Sequence, residues 1–207
     1  MKFFFTLGLL IFTHGLFAEV KELKIPRSIY HNEEQIFLPH IEALAMTIDN
    51  APIHSLRVQL EEELKIKLDF FKGWNPQGEA HITVITPPEF EKIKHKLSMS
   101  EINAIAERYE IQNSRLMILG LGKGKSKISE NDETTYFVIV DSYELRLIRQ
   151  MIFYEFIRRG GDRSVFDPTW FFPHITIGYT KRDLHEADGV IKNLKNSLDQ
   201  RFVIKTI

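Results

Sequence analysis

The sequence has no cysteine and almost no excess of charge of either sign, and each shortage excludes a class of protein. Without cysteine among its 207 residues, the chain cannot form disulfides, use a thiolate nucleophile or bind zinc through cysteine. Its net charge of −1 argues against a broad surface that coats nucleic acid, although not against a local basic pocket. It also lacks the helical zinc motif His-Glu-x-x-His. A chain of this length can form one domain, or one domain of two lobes, with a substantial core.

The N-terminus begins with an apolar run. Lys2 precedes the uncharged residues 3–12, and the run ends in small residues near Ala18. This order is typical of a secretory signal peptide. We predict a signal peptide over residues 1–18, a polar segment with weak local structure over residues 19–39 and a folded domain over residues 40–207. Export to the periplasm or the medium would follow, with no stable membrane insertion after cleavage. An uncleaved anchor and a buried N-terminal strand are the alternatives.

One short pattern occurs twice, as His81-Ile82-Thr83-Val84 and as His174-Ile175-Thr176-Ile177. Successive side chains of a strand point to opposite faces, so the histidine and the threonine of each copy would share one face. The aliphatic residues would share the other face and pack into a core. From the composition, two such copies in one chain arise by chance in roughly one chain in a hundred.

Imidazoles and hydroxyls in this arrangement suit the cleavage of a phosphodiester. One histidine can accept a proton from the attacking group and the other can donate one to the leaving oxygen, because an unperturbed imidazole titrates near pH 6.5. A neighbouring hydroxyl can donate a hydrogen bond to a phosphate oxygen as negative charge builds on it. The chemistry requires neither a metal nor a covalent nucleophile.

The doubled motif resembles the signature of the two-histidine (2H) phosphoesterases, a superfamily that includes the bacterial 2′,5′ RNA ligase-like proteins and the cyclic nucleotide phosphodiesterases. The flanking residues 78–80 and 183–190 look similar to the Swiss Army Knife RNA repair-like branch. The resemblance implies a bilobal α+β fold, in which two pseudo-symmetric lobes of antiparallel sheet with outer helices surround a central cleft. It also implies a catalytic quartet of His81, Thr83, His174 and Thr176.

Four further residues near the motifs are candidate substrate contacts. Trp74 and Trp170 precede the two histidines in loops, where their rings could stack on a base or instead pack between the lobes. Tyr179 and Arg182 follow the second motif closely enough to border the cleft. The Gly/Lys-rich residues 120–127 do not match a P-loop, since Leu119 occupies the position of its first glycine, and they predict a flexible hairpin.

Apolar periodicity and turn residues predict alternating strands and helices along the domain. We expect strands over residues 41–48, 80–85, 115–121, 134–140, 174–179 and 202–206, and helices over residues 53–71, 89–96, 98–109, 143–159 and 189–198.

The sequence thus predicts an exported phosphoesterase that needs no metal or cofactor and acts as a monomer. Its substrate would be a 2′,3′-cyclic phosphate, a 2′–5′ linkage or a related nucleotide or RNA end. The alternative is a binding module that uses the same cleft to recognise a nucleotide or RNA end without turning it over.

Overall fold

The computed structural model describes residues 19–30, 37–73, 78–128 and 130–207. The predicted signal peptide and Trp74 lie outside these ranges, so both remain predictions. Within the described ranges, no helix has the length and apolar character needed to cross a membrane.

The described ranges form a mixed arrangement of strands and helices. The strands are β1 (Lys21–Ile25), β2 (Leu44–Ile48), β3 (Ala80–Ile85), β4 (Met117–Ile128), β5 (Asn131–Asp141), β6 (His174–Tyr179) and β7 (Phe202–Thr206). The helices are α1 (Asn50–Leu64), α2 (Pro87–Ile93), α3 (Met99–Arg108), α4 (Tyr143–Arg158) and α5 (Leu194–Ser197). β2 pairs with β3 and β4-β5-β6 form a second sheet, both antiparallel, while β1 and β7 pair in parallel. The predicted α+β class is confirmed.

The two motif strands belong to different sheets and share one core. In β3 the side chains of Ile82 and Val84 are fully buried, and in β6 the same holds for Ile175 and Ile177. The motif histidines and threonines on the opposite faces are only partly buried. Burying each of these aliphatic side chains stabilises the fold by about 1.5–3 kcal/mol. The predicted alternation along both strands is confirmed, and it turns the polar side chains away from the core.

Three segments differ from the predicted elements. The polar segment 19–39 contains strand β1, in which Leu23 and Ile25 are buried against the core. Helix α1 ends at Leu64 because Lys65 takes a left-handed conformation, and the following chain pairs its Asp69 backbone with that of Tyr179 in a bridge. The predicted final helix over residues 189–198 shortens to the single turn α5.

The Gly/Lys-rich residues 120–127 do belong to a hairpin, as predicted, but they are paired residues of strand β4 in the β4–β5 hairpin and not a flexible loop. Alternate glycines leave one face of β4 open to neighbouring side chains. A methyl group on Gly122 would overlap the Phe137 ring, and one on Gly124 would overlap Val190. The segment that follows β6 therefore packs directly on this face of the sheet.

A buried arginine in α4 connects the two motif strands. Arg149 is 1% exposed, and its Nη1 donates a hydrogen bond of 2.6 Å to the carbonyl of Val84 at the end of β3. Its other donors reach Glu89 at 2.8 Å and the carbonyls of Asp167, Pro168 and Trp170 at 3.1–3.2 Å, in the loop that leads into β6.

The guanidinium of Arg149 also lies 5.0 Å from the centroid of the Phe166 ring and 4.8 Å from that of the Phe171 ring. One side chain thus fixes the loop before β6 relative to β3.

Removing the donors of Arg149 should be strongly destabilising. In Arg149→Met the apolar stem is retained, but Glu89 loses its ion pair and the backbone carbonyls lose the donors of the guanidinium. We expect the free energy of unfolding in urea to fall by about 3–5 kcal/mol.

The matched control is Arg115→Met, because Arg115 also pairs with a glutamate at 2.8 Å but its side chain is 85% exposed. An exposed pair of this kind contributes about 0–1 kcal/mol. Equal losses in the two variants would show that Arg149 does not act as a buried connection.

Candidate active site

The two motif strands lie side by side although they belong to different sheets. Several Cα atoms of β3 and β6 lie within 8 Å of each other. Because His81 and Thr83 alternate with buried residues on β3, and His174 and Thr176 do so on β6, each strand presents its imidazole and hydroxyl on one face.

The His174 ring is held from two sides. Its Nδ1 lies 2.8 Å from the carbonyl oxygen of Phe172, and since a carbonyl only accepts, Nδ1 carries the proton. The ring also meets the Phe137 ring edge-on, at 5.6 Å between centroids. The neutral imidazole therefore keeps the lone pair on Nε2, the atom that a general base needs.

Burial lowers the pKa of His174 well below its usual range. The Lys192 ammonium and His185 act in the same direction, while the hydrogen bond to Phe172 and the Asp183 carboxylate oppose them. At neutral pH the imidazole is therefore in its neutral, proton-accepting form.

His81 lies in a comparable but less constrained place. It is partly buried, and its ring meets the ring of Phe71 edge-on at 5.6 Å between centroids. Burial, and then His40, lowers the pKa of His81 below its usual value, and Glu79 and Asp183 partly offset this. The Lys192 ammonium also lowers the pKa of His81.

An ion pair of Asp183 and Lys192 acts on both motif histidines. Lys192 Nζ lies 2.8 Å from each oxygen of the Asp183 carboxylate, and the lysine is 4% exposed. Although burial favours the neutral acid, Lys192 and the hydroxyl of Thr135, which donates at 2.6 Å, hold the pKa of Asp183 below its usual range. The charges of this pair act on the pKa of both His81 and His174, and the pair contacts the second motif directly through the Thr176 hydroxyl.

The two motif threonines differ in their surroundings. The hydroxyl of Thr176 donates to Asp183 at 3.0 Å, so its proton is directed at a carboxylate and not outward. Donation from this hydroxyl to a phosphate oxygen stays a prediction, and it would require the proton to turn from Asp183 to the ligand. Thr83 shares a partly buried face with His81 on β3.

The predicted substrate contacts among the described residues differ in exposure and in partners. Trp170 is 50% exposed and packs edge-on against Phe172, and its Nε1 donates to both oxygens of Glu186 at 3.0 Å. The Trp170 ring is therefore oriented but not enclosed between lobes. Tyr179 is partly buried and pairs its backbone with Asp69, while burial raises the pKa of its phenol.

Arg182 serves mainly to hold the turn after β6. Its guanidinium donates to both oxygens of Asp188, at 2.6 and 2.9 Å, and to the carbonyl of Asp183. This engagement leaves Arg182 less suited to bind a substrate than its position in the sequence indicated.

Sequence reasoning missed Phe137, which packs on His174, and Lys192 and Thr135, which donate to Asp183, and it gave no role to Asp183. The alternate glycines of β4 were a signal that another segment approaches that strand closely. No local pattern marks Lys192, because its partners, the Asp183 carboxylate and the Phe137 ring, come from separate stretches of chain. Over the described part of the chain, no group of three or more His, Asp or Glu side chains could hold a metal ion.

The comparison with protein families agrees with this geometry. The family described as "Swiss Army Knife, 2H phosphoesterase domain" matches residues 43–185, which is more than half of the chain and includes both motif strands. No curated protein and no solved structure matches the chain significantly. The match supports a phosphoesterase function in general terms. The chain belongs to the Swiss Army Knife family of 2H phosphoesterases.

Proposed function

We propose that the protein hydrolyses a phosphodiester at a nucleotide or RNA end, such as a 2′,3′-cyclic phosphate or a 2′–5′ linkage, by acid–base catalysis without a metal. The observation that supports this best is that the two motif strands are neighbours in the fold, each with its imidazole and hydroxyl on the face opposite its buried aliphatic residues. The family match supports phosphoester chemistry at this site.

His174 is the proposed general base. Its proton on Nδ1 is held by the Phe172 carbonyl, which leaves Nε2 free to accept. Lys192 is the charged group that most disfavours a proton on His174. A base must be unprotonated before the reaction, and burial ensures that state at neutral pH.

His81 is the proposed general acid. Glu79 and Asp183 both favour its protonated form, against burial and His40. The phosphodiester anion would add a further negative charge beside the ring and raise the imidazole pKa in the complex.

The proposed step transfers two protons. Water attacks phosphorus and forms a new P–O bond, while its proton passes to Nε2 of His174. The ester P–O bond on the far side breaks, and the leaving oxygen takes the proton of His81. The products are a phosphomonoester and an alcohol, and proton exchange with solvent restores both imidazoles.

The exposed Trp170 ring favours a substrate that carries a base. Stacking of a base on such a ring contributes about 1–3 kcal/mol. Glu186 fixes the indole orientation, so less freedom is lost when a ligand stacks. Trp74, Tyr179 and Arg182 remain proposed contacts of lower priority.

We place the reaction outside the cytoplasm as part of the same proposal, on the pattern of residues 1–18. An exported enzyme would act in the degradation or scavenging of external nucleic acid rather than in a repair pathway that consumes ATP. The proposal takes the enzyme to be a monomer that needs no cofactor.

Substitution of either motif histidine should abolish turnover without abolishing binding. We expect His81→Ala and His174→Ala each to lower kcat at least about a hundredfold, because each removes one proton-transfer group. The assay is a panel of 2′,3′-cyclic nucleotides, 2′–5′ dinucleotides and ADP-ribose cyclic phosphate, with a chelator present.

The matched control is His54→Ala, since His54 is an exposed histidine of α1. Binding of a 2′-nucleotide should survive in both motif variants, as measured by calorimetry. A wild type that binds these ligands but turns over none of them would support the binding module instead.

The rate should be greatest at acid pH. If His174 must be neutral and His81 protonated, kcat/KM is maximal between their two pKa values, both of which lie below 6.5. As pH rises through the pKa of His81 the acid is lost, so kcat/KM at pH 8 should be at least about tenfold below its maximum. The charged groups in this balance are His40 and Glu79 around His81, His185 around His174, and the Asp183–Lys192 pair. A maximum at pH 7 or above would contradict the assignment.

A further inference from the structure

Asp183 and Lys192 are outside both motifs, but their ion pair contacts the motif strand β6 through Thr176. Lys192 also lies beyond the residues that the family model matches. We propose that this pair is a positioning element of the reaction centre. In it, Asp183 orients the Thr176 hydroxyl, and Lys192 cancels the negative charge of Asp183 beside His174. The proposal rests on the acid–base function proposed above.

The contacts of Asp183 show how the orientation is achieved. One carboxylate oxygen accepts from the hydroxyl of Thr135 at 2.6 Å and from the backbone N–H of Leu184 at 2.9 Å. The other accepts from the hydroxyl of Thr176 at 3.0 Å. Lys192 donates to both oxygens at 2.8 Å. A carboxylate with this many donors has one orientation, so the Thr176 side chain beside His174 has one as well.

The lysine is brought to this place by the open face of β4. Gly124 provides room for Val190 and Gly122 for the Phe137 ring, so the chain that carries Lys192 lies close against the sheet. Lys192 Nζ then sits 5.3 Å from the centroid of the Phe137 ring, the same ring that meets His174 edge-on. Lysine and imidazole thus pack against one aromatic side chain.

Stability alone is a weak explanation for this pair. Replacing a buried ion pair by apolar residues of similar volume is often neutral or even stabilising, because desolvating the charges offsets their attraction. A buried lysine near an imidazole also acts electrostatically on the pKa of that imidazole, which an apolar residue does not do. Without Lys192, the Asp183 carboxylate would stabilise a proton on His174 and raise the pKa of the proposed base.

Three variants separate charge cancellation from simple packing. Lys192→Met leaves the carboxylate uncompensated, Asp183→Asn leaves the ammonium uncompensated, and the double variant D183N/K192M removes both charges. The His174 pKa is measured by NMR titration of the full-length protein, with the ring resonance assigned through His174→Ala. The other groups that act on this pKa are the Phe172 carbonyl and His185, and both are retained in every variant.

We expect K192M to raise the His174 pKa by at least about one unit, since a nearby carboxylate shifts an imidazole by this order. D183N should not raise it, and the double variant should bring it back towards the wild-type value. We also expect D183N to lower kcat at least about tenfold with KM little changed, because Thr176 loses its fixed orientation while binding groups remain. The control is Arg201→Met, which breaks a pair with Asp199 that is absent from the groups acting on either motif histidine.

A His174 pKa that is the same in K192M as in wild type would overturn the proposal, as would equal shifts in K192M and the double variant. If K192M does not fold, D183N decides, and an unchanged kcat in that variant would overturn it. The titration does not depend on turnover. Failure of the phosphodiesterase proposal would appear as motif-histidine variants with wild-type rates, whatever the titrations give.

Discussion

The buried guanidinium of Arg149 is the interaction on which the geometry of the site most depends. It joins the last part of β3, the strand of His81, to the loop that leads into β6, the strand of His174. Each strand lies in its own sheet, so no ladder of backbone hydrogen bonds between them sets their spacing. A planar side chain with five fixed donors suits this task, because it can satisfy several carbonyls and a carboxylate at once.

The site itself combines partial burial with one compensated charge pair. Burial lowers the pKa of both motif histidines, which favours their neutral forms. The Asp183 carboxylate opposes this effect at both histidines, whereas the Lys192 ammonium acts in the same direction as burial. The result is a site in which both imidazoles favour their neutral forms and the charges of Asp183 and Lys192 compensate each other. Electrostatic interactions and hydrogen bonds between buried, oriented groups are stronger than in water, since the local dielectric constant is lower.

Many of the strands and helices could be predicted from the spacing of apolar residues in the sequence. The strands β3 and β6 and the helix α4 lie close to where alternation and helical spacing predicted them, since each has a buried stripe that only one secondary structure can present. The errors fall where tertiary contacts override local preference. Gly120–Lys127 reads as a loop in isolation, yet it is a strand because Phe137 and Val190 fill the space left by its glycines. Lys21–Ile25 reads as polar, yet pairing with β7 makes it a strand.

The sequence by itself determined the class of fold, the two motif strands and the pair of imidazoles, because a repeated pattern of two-residue period specifies both the face and the chemistry of a strand. Only the tertiary structure decided what surrounds those imidazoles. Arg149, Asp183 and Lys192 are ordinary charged residues in the sequence, and their importance arises from burial and from partners on distant segments. Local patterns do not encode such contacts, because they depend on how separate elements pack in three dimensions.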